Sequence, residues 1–431
     1  MELTDFDCNQ FIAILQEELV PALGCTEPIA IAYAGAHARA LLGEIPDRVC
    51  IKSSGNIIKN VKSVTVPNSG NMKGIPAAAA IGIIGGNPDK GLEVLADITE
   101  ADIARTKEFL TKIPCKVSLL DTVASLHFIV EVFAGSDSAS VEIIHQHTNI
   151  VRKTKNGKDI LSVPFDPASA NAALTDRSGL SVKKILEFAD TIDLDRVRPI
   201  LERQIDYNTR IAQEGLEHRY GINAGANLLK AAEAEQAVTL KIRAQAAAAA
   251  GSDARMSGCT LPVVTNSGSG NQGLTASLPV IVFAEEKKLP HDQLLRGLLV
   301  SNLIAIHQKT RIGRLSAYCG AVSAGCGSGA AVTYLSGGSY EQVCETITNT
   351  LAVVSGIVCD GAKPSCASKI ASSVDAALNA HYLAMQNRVF EPGEGIVKGD
   401  IEKTIAGVGA VAADGMRETD KVILRIMVDD D

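Results

Sequence analysis

The chain has 431 residues, enough for two or three domains, and its 46% hydrophobic and 21% charged residues suit a globular protein and exclude disorder. Its formal net charge is -8, and no basic run carries interleaved aromatics, so nucleic acid is excluded as a partner. Aromatics make up only 4% and Trp is absent, which leaves Ala, Ile, Leu and Val to fill closely packed helices.

The first residues, MELTDFDCNQ, are acidic and lack the basic start of a secretory signal. No apolar run reaches membrane-spanning length; the most apolar stretch, Leu278 to Ala284, is short and holds Pro279. A cytoplasmic, reducing setting is therefore expected. The ten cysteines are then core filler, catalytic thiols or metal ligands rather than a disulfide framework.

An amphipathic helix is predicted from about Asp7 to Val20, where Phe11, Ile12, Leu15 and Leu19 recur at helical spacing, and Pro21 ends it. After the loop PALGCTEP, an Ala-rich helix is expected over Ile29–Leu42, with Gly43 as its cap. Arg48 to Val66 is rich in β-branched residues and predicts two or three short strands around Gly55-Asn56. PNSGNMKGIP is a loop, and helices are predicted near Pro76–Gly85, Asp89–Ala96 and Glu100–Leu110.

From Lys116 to Leu161 alternation takes over, with turns at Gly135-Ser-Asp and Asn156-Gly157. This predicts a small β-rich part between helical ones. From Val182 to the C-terminus the pattern is helical, broken by Gly-rich loops. The alanine run Ala246–Ala250 is expected to end a helix at Gly251. The fold class is α+β: a mainly helical part and a smaller β-containing one. The expected units are 1–47, with the N-terminal helices; 48–165, with the strands and intervening helices; and 166–431, the helical part.

Cys8, Cys50, Cys115, Cys259 and Cys344 are scattered among apolar or helical stretches and read as small buried hydrophobes. Cys319 and Cys326 lie seven apart in RLSAYCGAVSAGCGSGAA, on one face of a continuous helix. Cys359 and Cys366 bracket Gly361 and Pro364 in VCDGAKPSCASK, so a loop between them can bend two thiolates towards one centre. The set lacks the C-x-x-C knuckle of structural zinc, and two helices with ordinary buried cysteines remain the rival. Thiolate ligands would favour zinc or iron–sulfur.

Cys25 in PALGCTEP falls between two helices, with Thr26 as a candidate N-cap and Pro28 in the first turn. A helix N-terminus there would lower its pKa and make it reactive; the alternative is a capping segment with a filler thiol. Asn266-Ser-Gly-Ser-Gly-Asn-Gln-Gly precedes an apolar helix and suits carboxylate binding by backbone N–H groups, or is a flexible connector. His145 and His147 would share a face on a strand and could bind metal, or are ordinary hydrogen-bonded residues. Arg255, Arg311, Arg314 and Lys363 lie beside these motifs and are candidates to pair with a substrate carboxylate, or ordinary ion-pair partners.

Together PALGCTEPIA, HTNIV, SDARMSG, NSGSGNQG, RLSA-x-C and VCDGAKPSCA resemble the iron–sulfur L-cysteine desulfidases, relatives of the bacterial iron–sulfur L-serine dehydratase alpha chain. The resemblance runs from about residue 10 to about residue 425. It implies a [4Fe–4S] cluster held by Cys319, Cys359 and Cys366 with one iron open, and Cys25 as the base. Cys326 matches no family ligand. The GCTEP motif leans towards desulfidase, because the dehydratases carry a different motif there. The implied reaction is β-elimination of L-cysteine to sulfide, pyruvate and ammonia. In it, Ser267, Gly268 and Asn271, with Arg314 or Lys363, would bind the substrate carboxylate. L-serine dehydration at the same cluster is the nearest rival; a non-catalytic metal-binding or redox-sensing protein and a structural zinc protein are others. The expected partner is a small amino acid, with neither nucleic acid nor membrane, and the Ala/Gly-rich helices are compatible with a homodimer.

Overall fold

The computed structural model describes residues 3–62, 64–168 and 174–428. Helix α1 (Asp5–Glu18) opens with a capping box, in which Thr4 and Asp7 satisfy each other's backbone N–H groups. Its Phe11, Ile14 and Leu15 are fully buried, and Phe11 meets Phe188 edge-on at 5.4 Å. Burying each such side chain stabilises the fold by roughly 1.5–3 kcal/mol. The helix stops before Pro21, and Pro21–Leu23 forms a short strand, β1. The Ala-rich helix α2 (Thr26–Leu42) follows, ended by Gly43 at φ 97° as its sequence predicts.

Among the described residues, β2 (Arg48–Ser53) is the only strand of the predicted two or three in its region. Gly55–Val61 of that stretch is helix α3, because Ile57 and Val61, four apart, turn one face into the core. Helix α4 (Gly74–Gly85) packs on α2. The helix expected over Asp89–Ala96 is a 3₁₀ segment, Pro88–Glu93, broken by Gly91 at φ 53°. Helix α5 (Glu100–Lys112) carries a second capping box.

Strands β3 (Cys115–Leu119), β4 (His127–Ala134), β5 (Asp137–Ile144), β6 (Ile150–Lys155) and β7 (Lys158–Ser162) complete a six-stranded sheet ordered β3-β2-β4-β5-β6-β7. β2 and β3 are parallel, joined through α3–α5, and every other pair is antiparallel. α2 lies across β4 and β5, so the sheet, α2, α4 and α5 enclose one apolar core.

The remainder is helical: α6 (Val182–Thr191), α7 (Arg198–Glu217), α8 (Ala224–Ala234), α9 (Leu240–Met256), strand β8 (Pro262–Val264), α10 (Gly270–Glu286), α11 (His291–Ile312), α12 (Gly320–Leu335), α13 (Tyr340–Val354), α14 (Ser365–Ala384), α15 (Ile401–Ala410) and α16 (Arg417–Val428). α1, α6, α7 and α9–α15 form a second, larger core. The class is α+β, as the sequence patterns predict. α9 does not end at Gly251 but continues to Met256; a Cβ at Gly251 would touch Leu274 and Leu278, so the glycine serves close packing on α10. Among the described residues, no helix is long and apolar enough to cross a membrane.

Candidate active site

One cavity lies between the two cores, and four helices aim their N-termini at it. Cys25 is the N-cap of α2, Ser269 that of α10 and Cys319 that of α12, while Cys366 sits in the first turn of α14. Each N-terminus carries unsatisfied N–H groups and about half a positive charge. Their convergence favours anions. The cavity volume, about 90 Å³, suits a small ligand rather than a nucleotide.

Short contacts hold this geometry. β1 and β8 pair antiparallel, Pro21 opposite Val264, which sets the Cys25 loop beside the Asn266–Gly273 loop. Thr26 Oγ1 donates to the Gly268 carbonyl at 3.0 Å across that seam. Gly24 has φ 50°, and a Cβ there would lie 2.1 Å from Pro67, so only glycine fits. Three-residue strands carry too little periodicity to be seen in the sequence, and neither β1 nor β8 is predicted from it.

Cys319 and Cys359 are brought together by the backbone. The Cys319 N–H donates to the Ile357 carbonyl at 3.0 Å, the Cys359 N–H donates to the Ala317 carbonyl at 2.6 Å, and Tyr318 pairs with Val358. Cys366 reaches the same cavity from α14, its thiol 3.8 Å from the Gly361 carbonyl. Burial pushes the Cys319 thiol up to about 12, and the neighbouring Cys359 and Cys366 add to that shift. Burial and Cys359 push Cys366 up likewise. All ten cysteines are free.

Among the described residues, no group of three or more His, Cys, Asp or Glu closes around a single-ion position. A cubane takes its sulfur ligands around a larger body than a single ion, and Cys319, Cys359 and Cys366 all line one cavity. Their mutual charge repulsion is the kind a cationic centre relieves. Buried Lys309 also lines the cavity; burial lowers its ammonium to about 8 against the pull of Cys359 and Cys319.

Cys25 differs from its sequence expectation. It, rather than Thr26, is the N-cap, and its thiol donates to Glu27 Oε2 at 3.1 Å. Burial, then the Glu27 charge, push its pKa well above the ordinary thiol value, despite the helix N-terminus. Desolvation of a buried thiolate beside a carboxylate outweighs the helix field. Burial raises Glu27 in turn, but His147, the Cys25 thiol, its own backbone N–H and Arg255 hold it below the usual carboxylate value.

Ser267, Gly268, Asn271 and Arg314 all line the cavity, as expected of carboxylate-binding candidates. Arg314 also donates to Glu18 at 2.8 Å. Lys363 does not line it; its ammonium faces Asp360 at 3.4 Å. Cys326 is also remote from the lining, because seven residues along α12 carry it from the N-cap into the core near the Ile347 carbonyl. His145 and His147 do not share a strand face. β5 ends at Ile144, His145 takes φ 67°, and its Nε2 lies 2.8 Å from the Asp166 carbonyl. His147 alone enters the cavity. Burial, reinforced by Arg314 and Arg255, lowers it to about 4, so the ring is neutral near pH 7.

Six lining side chains hold a buried polar atom without a partner: Asn60 Oδ1, His147 Nε2, Arg255 Nε, Asn271 Oδ1, Gln272 Oε1 and Arg314 Nε. Buried polar atoms are nearly always satisfied, so this concentration marks a surface made for a ligand. Glu27, Asn60, Lys309 and Gln272 escape the sequence reading. Glu27 has a signal, standing two residues from Cys25; Asn60 lies in a stretch whose pattern predicts strands and Lys309 in an ordinary helical one, and neither has any.

The chain matches the family described as serine dehydratase alpha chain over residues 89–425. That span holds Cys319, Cys359, Cys366 and the Asn266–Gly273 loop, and excludes Cys25, Glu27 and Asn60. Over its whole length the chain is 57% identical to a UPF0597 protein of Treponema denticola, with all 431 residues and all of the relative aligned. A UPF0597 protein of Lachnoclostridium phytofermentans is 54% identical over 97% of this chain and 99% of its own. One from Fusobacterium nucleatum is 51% identical over 97% and 98%.

Proposed function

The chain belongs to the serine dehydratase alpha-chain family, and from that premise we propose that it is an L-cysteine desulfidase, eliminating sulfide from L-cysteine to leave pyruvate and ammonia. The observation that carries this reading is the meeting of Cys25 with Cys319, Cys359 and Cys366 in one cavity ringed by helix N-termini and unpartnered polar groups. Cys319, Cys359 and Cys366 would hold a [4Fe–4S] cluster. When bound, it supplies a Lewis-acidic iron that makes sulfide a better leaving group.

The remaining work falls to the protein's side chains. The substrate carboxylate fits the N-terminus of α10, where Ser267, Gly268 and Asn271 stand beside Arg314. Neutral His147 offers an unpartnered Nε2 to the same ligand. Cys25 takes the Cα proton, and the helix ends stabilise the charge that develops. Aminoacrylate then leaves and water converts it to pyruvate and ammonia.

The cysteine preference is supported by the sulfur of the lining. Cys25, Ala362 and Cys366 face the cavity, and Val64 and Met256, outside its lining, pack with them. Such a surface suits a soft thiol side chain better than a hydroxyl. The family description favours a second reading, L-serine dehydration.

Anaerobically reconstituted protein decides between them. Incubation with L-cysteine should release sulfide and pyruvate in equal amounts, with a higher kcat/KM than L-serine. Turnover of serine alone would make the protein a dehydratase. An iron-loaded protein that turns over neither would be a non-catalytic binder.

A further inference from the structure

Glu27 is buried and has no ion-pair partner within salt-bridge distance among the described residues. Its carboxylate is met by three neutral donors instead. Asn60 Nδ2 donates to Oε1 at 2.9 Å, and Oε2 receives the Cys25 thiol at 3.1 Å and, also at 3.1 Å, shares the Thr26 hydroxyl with the Gly268 carbonyl. Enclosing a carboxylate with no cation in salt-bridge contact is expensive, even with the Arg255 charge in reach. A filler thiol needs no carboxylate behind it. Thiol, base and a third group that orients the base make up the arrangement that activates a weak sulfur or oxygen centre.

We propose that Glu27 is the proton acceptor that activates Cys25, and that Asn60 is the positioning residue that aims its carboxylate. This rests on the lyase reading, in which Cys25 takes the Cα proton. As the substrate Cα–H bond breaks, its proton goes to the Cys25 sulfur and the thiol proton passes to Glu27 Oε2. The Cα–H electron pair becomes the Cα=Cβ bond, and the Cβ–S bond breaks with its pair on the departing sulfur. The proton on Glu27 leaves with that sulfur as hydrosulfide, which returns the carboxylate and the thiol to their starting states.

Asn60 also ties this pair to the thiol-bearing loop. It lies on α3, next to Lys59, whose ammonium is ion-paired with Asp420 and lies 3.5 Å from the Cys359 carbonyl. A Cβ at Gly361 would come within 3.3 Å of Asn60 Oδ1, so the loop between Cys359 and Cys366 closes directly over it.

The first test uses cluster-free full-length protein and vibrational spectroscopy in the S–H stretching region. The Cys25 band is the one lost in Cys25→Ser. In the wild type it should lie at the low-frequency, strongly bonded end. It should move up in Glu27→Gln, whose amide is a weaker acceptor, and return part of the way in Glu27→Asp. Identical bands in wild type and Glu27→Gln would overturn the proposal.

The second test uses reconstituted enzyme and L-cysteine. Glu27→Gln should lower kcat by about 10²–10⁴-fold with KM and the cluster spectrum unchanged, and Glu27→Asp should recover part of the loss. A raised KM with kcat retained would make Glu27 a substrate-ammonium ligand and overturn the proposal. A wild type that releases no sulfide from cysteine sinks the lyase reading instead, and the band comparison still decides whether Glu27 holds the Cys25 proton.

Discussion

Cys359→Ala should abolish the brown iron–sulfur chromophore and sulfide release together, in a protein that still folds. The fold survives because the contacts that place this residue are backbone ones. The Cys359 N–H to Ala317 bond and the Tyr318–Val358 pair need no thiol. Cys359 is only partly buried, so truncation opens little cavity. What is lost is one of the three proposed sulfur ligands. Visible absorption, iron content and acid-labile sulfide check the cluster, and methylene-blue detection of sulfide checks turnover. Cys326→Ala is the control: it removes a fully buried core sulfur away from the cavity and should leave the chromophore in place. A Cys359→Ala protein with a full cluster and full turnover would overturn the ligand assignment.

Cys25→Ala should separate the two properties that Cys359→Ala removes together. The cluster remains and kcat falls by about 10²–10⁴-fold, the range expected when a general base is lost. Its thiol is committed to Glu27 Oε2 at 3.1 Å, and burial followed by the Glu27 charge pushes its pKa well above the ordinary value. A standing thiolate at neutral pH is therefore disfavoured, and in the proposed mechanism proton removal from Cys25 belongs to the reaction itself. Absorption spectra beside steady-state rates on the same preparation give the answer. Loss of the cluster would make Cys25 a ligand, and retention of full turnover would remove it from the mechanism.

Much of the fold is legible where periodicity is long. α1, α2, α5 and the hairpins β4–β7 follow from helical spacing, capping residues and strict alternation. The misses are local competitions that tertiary packing decides. Gly55–Val61 is β-branched in part yet helical, because Ile57 and Val61 find a core on one side. Gly251 resembles a helix terminator, but α10 lies against it and the helix continues.

The site is legible as residue types and not as geometry. Cys25, Cys319, Cys359, Cys366 and the Ser267–Asn271 loop stand out in their motifs, and one cavity receives them all. Nothing local says that Ala317–Cys319 pairs with Ile357–Cys359, because that contact joins segments 40 residues apart. The Cys25 pKa runs opposite to expectation for a similar reason. Helix position is visible in the sequence, whereas complete burial against Glu27 is a tertiary fact. Lys363 looked equivalent to Arg314 as a basic neighbour, but the loop turns it towards Asp360. Lys309 fills the cationic place from the last turn of α11.

The most direct measurement is the visible absorption spectrum of anaerobically reconstituted protein, recorded before and after addition of L-cysteine. The account predicts a broad iron–sulfur absorption that changes shape when the substrate thiol arrives. A colourless protein that takes up zinc but neither iron nor sulfide, or a cluster spectrum indifferent to saturating L-cysteine, would contradict it.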